Sequence, residues 1–60
     1  MSENYIDECI KGRSNVTVYT TNGFQIKGSI ISNCEHYVIM LSSGKKKMVY
    51  KHAISTIEPL

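Results

Sequence analysis

Three consecutive residues near the C-terminus combine side chains suited to ligand binding. Tyr50, Lys51 and His52 join two strand-like runs, Met48-Val49-Tyr50 and Ala53 to Ile57. An aromatic ring can stack on a nucleobase, an ammonium group can contact a phosphate, and an imidazole can donate or accept hydrogen bonds near neutral pH. This combination at one tight junction indicates a binding site rather than a linker.

The remaining reactive side chains do not form a recognisable catalytic set. His36 and His52 lie far apart in the sequence, and neither has a Cys or Asp at catalytic spacing. The sequence has no glycine-rich phosphate loop, paired-carboxylate motif or nucleophile elbow. Cys9 and Cys34 lack metal-ligand spacing and are expected to be reduced, buried, hydrophobic residues. We therefore expect no enzymatic activity, no metal site and no cofactor.

Length and charge indicate a small domain that assembles. A chain of 60 residues buries only about 60% of its unfolded surface, so a single domain over 1–60 is marginal as a monomer. The net charge is +2, and five lysines face two glutamates after residue 13, so a ring of subunits would attract phosphate. Without a signal peptide or a run of about 20 apolar residues, we expect a cytoplasmic protein with no membrane partner.

The hydrophobic pattern predicts one helix followed by a sheet. Tyr5, Ile6, Cys9 and Ile10 share one face of a helix over residues 2–12, which is expected to end at Gly12. From Asn15 the period changes to two, as in half-buried strands. The predicted strands are Asn15 to about Tyr19, Phe24 to Ile30 with a bend at Gly28, Tyr37 to Leu41, Lys45 to Tyr50, and Ala53 to about Ile57.

Two features of this pattern leave alternatives open. The alternation fits an SH3-like barrel but does not distinguish it from an OB-fold. The lysine run Lys45-Lys46-Lys47 is interpreted as a solvated hairpin tip or as protection of a sheet edge, rather than as a dedicated phosphate site.

The sequence motif YKHAIS at residues 50–55, together with Asn22-Gly23 after the first strand and Gly28 within the second, resembles the Hfq family of bacterial Sm-like RNA chaperones. The resemblance covers roughly Tyr5 to Pro59. It implies a mainly β fold, with an N-terminal α-helix followed by a five-stranded, strongly bent Sm-like (SH3-like) barrel. It also implies a homohexamer, because in this family the fourth strand of one subunit pairs with the fifth strand of the next.

The resemblance assigns RNA-binding residues to two faces and a rim. The pore face, which takes U-rich single-stranded RNA, would carry Tyr37, Tyr50, Lys51 and His52. The opposite face, which takes A-rich RNA, would carry Tyr19, Gly23, Phe24, Ile26, Lys27 and Thr56. The rim, with only Lys11 and Arg13, is expected to be weak at annealing two RNAs. For Tyr19 and Phe24, packing within the barrel remains an equal alternative.

The sequence departs from the family pattern at several positions. Ser2 stands where many members have Gln near the pore, so one base contact is expected to be missing. Lys27 and Lys47 stand where Gln often contacts adenine, which would exchange adenine selectivity for phosphate attraction. The segment before Tyr37 is one residue longer than usual, and this either moves His36 toward the pore or enlarges a bulge.

The resemblance implies an RNA chaperone that acts in post-transcriptional regulation, with small regulatory RNAs and mRNAs as partners. The main alternative is a ring-forming interaction protein with weakened chaperoning, which assembles with a related Hfq subunit and modulates it. Mixed rings after co-expression would distinguish that alternative. A third interpretation, a monomeric SH3-like peptide-binding domain, predicts a monomer without pore-dependent RNA affinity.

Overall fold

The computed structural model describes residues 3–60 and shows one helix followed by five strands. The predicted helix begins at Glu3, and Ser2, with the base contact expected to be missing there, lies outside the described residues. The elements are α1 (Glu3–Lys11), β1 (Asn15–Thr20), β2 (Gln25–Asn33), β3 (Tyr37–Ser42), β4 (Lys45–Tyr50), a 3-10 turn (Lys51–Ala53) and β5 (Ile54–Pro59).

The five strands form one antiparallel sheet in the order β4-β3-β2-β1-β5. The first four strands are neighbours in sequence, whereas β5 returns to pair with β1. Two strands, β4 and β5, are therefore the edges of the sheet in the single chain. Such edges carry unpaired backbone groups that another strand can bind.

The core lies between the bent sheet and one face of α1. Ile6 and Cys9 are the buried residues of the helix, and Tyr5 and Ile10 pack beside them, as the predicted apolar face requires. Burial of this face stabilises a helix that is too short to be stable alone. The sheet contributes Val16, Val18, Ile30, Val38, Met40, Val49 and Ile54.

The bend of β2 depends on a close contact between backbones. A Cβ atom on Gly28 would collide with the carbonyl oxygen of Leu41, and it would also lie 3.1 Å from the Cα of Ser42. Ser42 donates a hydrogen bond of 2.7 Å to the Lys27 carbonyl oxygen, which fixes β3 against β2 at this point. The absence of a side chain at Gly28 thus allows the strands to curl into a barrel-like sheet.

A β-bulge interrupts β2 in the segment before Tyr37. The register of β2 on β3 shifts between Ile30 and Ser32, so Ile31 has no partner of its own. Beyond the bulge, Tyr37 pairs with Tyr50 in regular register. His36 is exposed beside Glu35, with 3.4 Å between Nε2 and a carboxylate oxygen, and is not buried in the sheet.

α1 ends at Lys11, directly before Gly12, as expected, and the left-handed residue that follows is Arg13, at φ 50°. Other local expectations are wrong in detail. Phe24 precedes β2 instead of starting it, and its side chain is 67% exposed. Cys34 is only half-buried, unlike Cys9. Leu41 is 40% exposed, because the outer face of β3 has no covering layer within the single chain.

Candidate nucleic-acid interface

An aromatic cluster forms where β3 begins and β4 ends. The Tyr37 and Tyr50 rings meet edge to face, with centroids 6.5 Å apart, because these residues are cross-strand partners. The His52 imidazole stacks on Tyr50 at 5.6 Å, with 22° between the ring planes. Tyr50 is 49% exposed, so the cluster presents ring surface on which a base can stack.

The ring of Tyr37 remains an uncharged phenol at physiological pH. The neighbouring Cys34 thiol raises the pKa of Tyr37 above its ordinary value of 10.0. The Cys34 backbone N–H also donates a hydrogen bond of 2.9 Å to the Tyr37 carbonyl oxygen, which closes the turn between β2 and β3. A neutral ring next to phosphates adds no electrostatic repulsion.

Lys51 is held in place by the 3-10 turn and by the N-terminal helix. Its backbone N–H donates to the His36 carbonyl oxygen at 3.0 Å. Its ammonium group lies 2.8 Å from the Glu3 carboxylate, and its side chain is only 17% exposed. Hydrogen bonds from Lys51 and then from Asn33 keep the pKa of Glu3 below its ordinary value of 4.5. The ammonium of the residue that follows Tyr50 in the chain therefore has a carboxylate counter-ion on α1.

Glu3 and Asn33 were missed as site residues by reasoning from the sequence. Asn33 donates to Glu3 at 3.2 Å and to Asp7 at 2.9 Å, which fastens the start of α1 to the end of β2. The contact between Glu3 and Lys51 spans 48 positions, and no local spacing reveals it. An acidic residue at a helix N-terminus already has a sufficient explanation in the helix dipole.

The residues assigned to the opposite face lie around the β1–β2 turn and along β1, β2 and β5. Tyr19 pairs with Thr56 across the strands, and its pKa is raised by the Glu58 carboxylate. Phe24 is exposed next to the turn, where Gly23 adopts φ 93°. Lys27 is exposed and Ile26 packs partly against the core. The exposure of Phe24 favours a binding role over packing, whereas half-buried Tyr19 allows both.

The rim carries two cations that line different concavities. Lys11 borders a groove along α1 together with Asp7 and Glu8, so its charge is partly offset. Arg13 borders another, between the end of α1 and the sheet, in which three of the six lining residues are isoleucines. Weak attraction of RNA by the rim stays a prediction.

Residues 3–60 contain neither a group of possible metal ligands nor a membrane-spanning helix. Over this range no group of three or more His, Cys, Asp or Glu side chains is placed to hold a metal ion. Within the same described range, no helix is long and apolar enough to cross a membrane.

Comparison with known proteins identifies the family of this fold and site. A family model described as "Hfq protein" matches residues 1–60. The RNA-binding protein Hfq of Clostridium botulinum (strain Hall) is 49% identical over 55 residues, covering 92% of this chain and 65% of that protein. The RNA-binding protein Hfq of Ruminiclostridium cellulolyticum is 43% identical over 56 residues, covering 93% of this chain and 70% of that protein.

The structural comparison agrees with the sequence matches. A crystal structure of the pleiotropic translational regulator Hfq superposes with a TM-score of 0.89 at 38% identity, covering 93% of each chain. This confirms the predicted helix and five-stranded Sm-like fold. The chain spans only 65% of the length of the Clostridium botulinum relatives that it matches.

These matches also confirm that the resemblance noted in the sequence is genuine. The family consists of RNA-binding proteins and not of enzymes, as the lack of a catalytic set predicted. Since the family model matches the chain from end to end, the chain belongs to the Hfq family.

Proposed function

We propose that the protein is an RNA chaperone that binds U-rich single-stranded RNA on the pore face of a homohexameric ring. The observation that carries this proposal is the cluster of the Tyr37, Tyr50 and His52 rings, with Lys51 between Tyr50 and His52 in the 3-10 turn. Aromatic surfaces accept bases and the cation supplies hydrogen bonds, which is the combination that single-stranded RNA requires. The proposed setting is post-transcriptional regulation in the cytoplasm, with small RNAs and mRNAs as partners.

A homohexameric ring would bring six copies of this aromatic and lysine cluster together. Six copies of the cluster around one pore would give a linked array in which each bound nucleotide raises the effective concentration of the next. The mechanism is non-covalent, because unpaired segments are held by stacking and hydrogen bonds until they meet a complementary strand. The opposite face would hold A-rich RNA through exposed Phe24 and the neighbouring surface of Tyr19 and Thr56.

The pore-face assignment can be tested by removing its polar members. Lys51→Ala and His52→Ala should each weaken binding of a hexauridine by about ten-fold, the loss expected for one good hydrogen bond to a charged group or one stacking contact. Fluorescence anisotropy measures the affinity, and native mass spectrometry shows whether the assembly persists. Lys46→Ala is the matched control, because it removes one exposed lysine on β4.

Two results of these experiments would argue against the proposal, and each has a different meaning. Unchanged affinity in both variants, with the assembly intact, would contradict the pore-face assignment. Rings that ignore hexauridine, or mixed rings after co-expression with another Hfq, would instead favour the modulator function. The altered residues of the opposite face and the weakly charged rim favour this modulator function as the second candidate.

A further inference from the structure

A hydrogen-bonded network links the start of α1, the end of β2 and the pore-face lysine. One Asn33 amide nitrogen donates to both Glu3 and Asp7, at 3.2 and 2.9 Å. The same Glu3 oxygen that accepts from Asn33 also accepts from the Lys51 ammonium at 2.8 Å. Asn33 therefore holds Glu3 at the place where Glu3 contacts Lys51.

The orientation of the Asn33 amide is fixed by its neighbours. Its nitrogen faces two carboxylates, and reversal would direct the amide oxygen at both of them. The oxygen is buried and has no hydrogen-bond partner among the described residues. The amide therefore uses its donors on the two carboxylates of α1.

The sheet determines where this amide lies. Asn33 ends β2 and pairs with Val38, beyond the bulge at Ile31. Glu3 and Asp7 are one helical turn apart on the same face of α1, where two like charges repel each other. The donor between them relieves this repulsion and keeps the first turn of the helix against the sheet.

The Glu3 contact changes what Lys51 can offer to a ligand. An ammonium group has three N–H donors, and the carboxylate uses one of them while cancelling the positive charge of the group. The remaining donors can still bind a neutral carbonyl oxygen. A phosphate, in contrast, would meet a pair without net charge and with an anion at its edge, so its attraction is reduced.

We propose that Asn33 is a positioning residue that holds Glu3 on Lys51, so that Lys51 selects neutral base carbonyls over phosphates. This inference rests on the proposed function of the pore face. It adds a means of selectivity, because uracil carries two carbonyl groups whereas the phosphates are common to every RNA. The phosphate-directed cations are then Lys27 and Lys47, which are exposed and for which no carboxylate lies within 4 Å among residues 3–60.

The test compares charge removal at two carboxylates of the same helix face. Glu3→Gln keeps a hydrogen-bond acceptor for Lys51 but removes the charge, and Asp7→Asn removes an equal charge away from Lys51. Binding of hexauridine and of a six-unit abasic ribose-phosphate oligomer is measured between 50 and 300 mM salt, values chosen to span about 0.8 log unit for a salt-slope determination. Native mass spectrometry verifies equal assembly of all variants.

In Glu3→Gln we expect binding of the abasic oligomer to rise more than binding of hexauridine. The slope of log K against log salt should steepen by about 0.7 for each phosphate that a Lys51 side chain gains. Asp7→Asn should leave both the selectivity and the slope near those of the unmodified protein. Asn33→Ala should shift selectivity in the same direction as Glu3→Gln, and the double variant should match Glu3→Gln alone.

Comparison of the double variant with Glu3→Gln alone distinguishes a positioning role of Asn33 from a merely structural one. Independent structural effects of the two substitutions would add. Asn33→Gln, which keeps the amide but displaces it, replaces Asn33→Ala if the latter does not fold. Equal selectivity in Glu3→Gln and Asp7→Asn would overturn the inference while leaving the proposed function standing. If the unmodified protein does not bind hexauridine at all, the proposed function itself fails.

Discussion

The ligand preference of Lys51 depends on its contact with Glu3 as well as on its own ammonium group. The Lys51 side chain is mostly shielded and paired with Glu3, and in the chain it lies between Tyr50 and His52, whose rings stack. A solvated lysine attracts any anion, whereas a lysine with a fixed counter-ion favours ligands that need donors without net charge. The chemistry of the proposed pore face would therefore depend on the first turn of α1 as well as on the YKHAIS stretch.

The contact between Glu3 and Lys51 predicts how the stability of the protein depends on pH. Because Lys51 and Asn33 lower the pKa of Glu3 below 4.5, the folded state favours the carboxylate. The resulting stabilisation is fully present above pH 4.5 and is lost as the pH falls through the lowered pKa. The melting temperature of the unmodified protein should exceed that of Glu3→Gln by a constant margin from pH 7 to about 5.

Below pH 4.5 the margin should shrink toward zero. Thermal unfolding followed by circular dichroism measures it, and Asp7→Asn serves as the control for general loss of negative charge from α1. A margin that stays constant down to pH 3, or that grows, would show that the Glu3 contact does not persist in solution.

At the scale of elements, the period of the hydrophobic pattern was sufficient to predict the helix and all five strands. Local signals placed β1 and the turn at Asn22-Gly23 correctly, because residue type alone determines those conformations. The end of β2 and the bulge at Ile31 could not be predicted, since they depend on which residues of β3 lie opposite. Asn33 was overlooked for the same reason, because its partners come from another element.

Gly28 supports a prediction about element packing. Gly28→Ala places a methyl group against the backbone of Leu41 and Ser42, which cannot move without breaking the sheet. We expect a loss of about 1–3 kcal/mol in the free energy of unfolding, as in overpacked cores. Gly44→Ala is the contrast, because its added Cβ meets nothing within 4 Å and only the left-handed φ of 77° is strained.

Chemical denaturation of both variants measures the difference. Gly44→Ala should lose about 1 kcal/mol from backbone strain alone, so the order of the two losses is the informative result. A smaller loss for Gly28→Ala than for Gly44→Ala would mean that β2 and β3 do not approach as closely in solution.

For the whole molecule, the two sheet edges matter most. The single chain leaves Leu41, Met48 and Tyr50 between 40% and 52% exposed, on or beside the edge strand β4. A domain of this size gains little stability from its own core. Pairing of β4 with β5 of another copy would bind the unpaired edges and cover part of this surface, as the proposed ring requires.

The ladder identifies which backbone groups would make that pairing. Lys51 donates its N–H to His36, and hydrogen-bonded residues alternate along an antiparallel strand. The N–H groups of Lys47 and Val49 therefore point toward β3, whereas that of Met48 points away from it. Met48→Pro removes this outward donor and leaves the bonds to β3 in place, as prolines on edge strands do.

We expect Met48→Pro to remain folded but to fail to assemble, and Met48→Ala, which loses the side chain and keeps the N–H, to assemble. Native mass spectrometry and light scattering measure the subunit number, and circular dichroism verifies the fold. Rings of unchanged size from Met48→Pro would show that β4 is not the assembling edge. Since six convergent sites are needed for avid binding, Met48→Pro should also lose most hexauridine affinity although each site keeps every side chain, which would place the activity in the assembly.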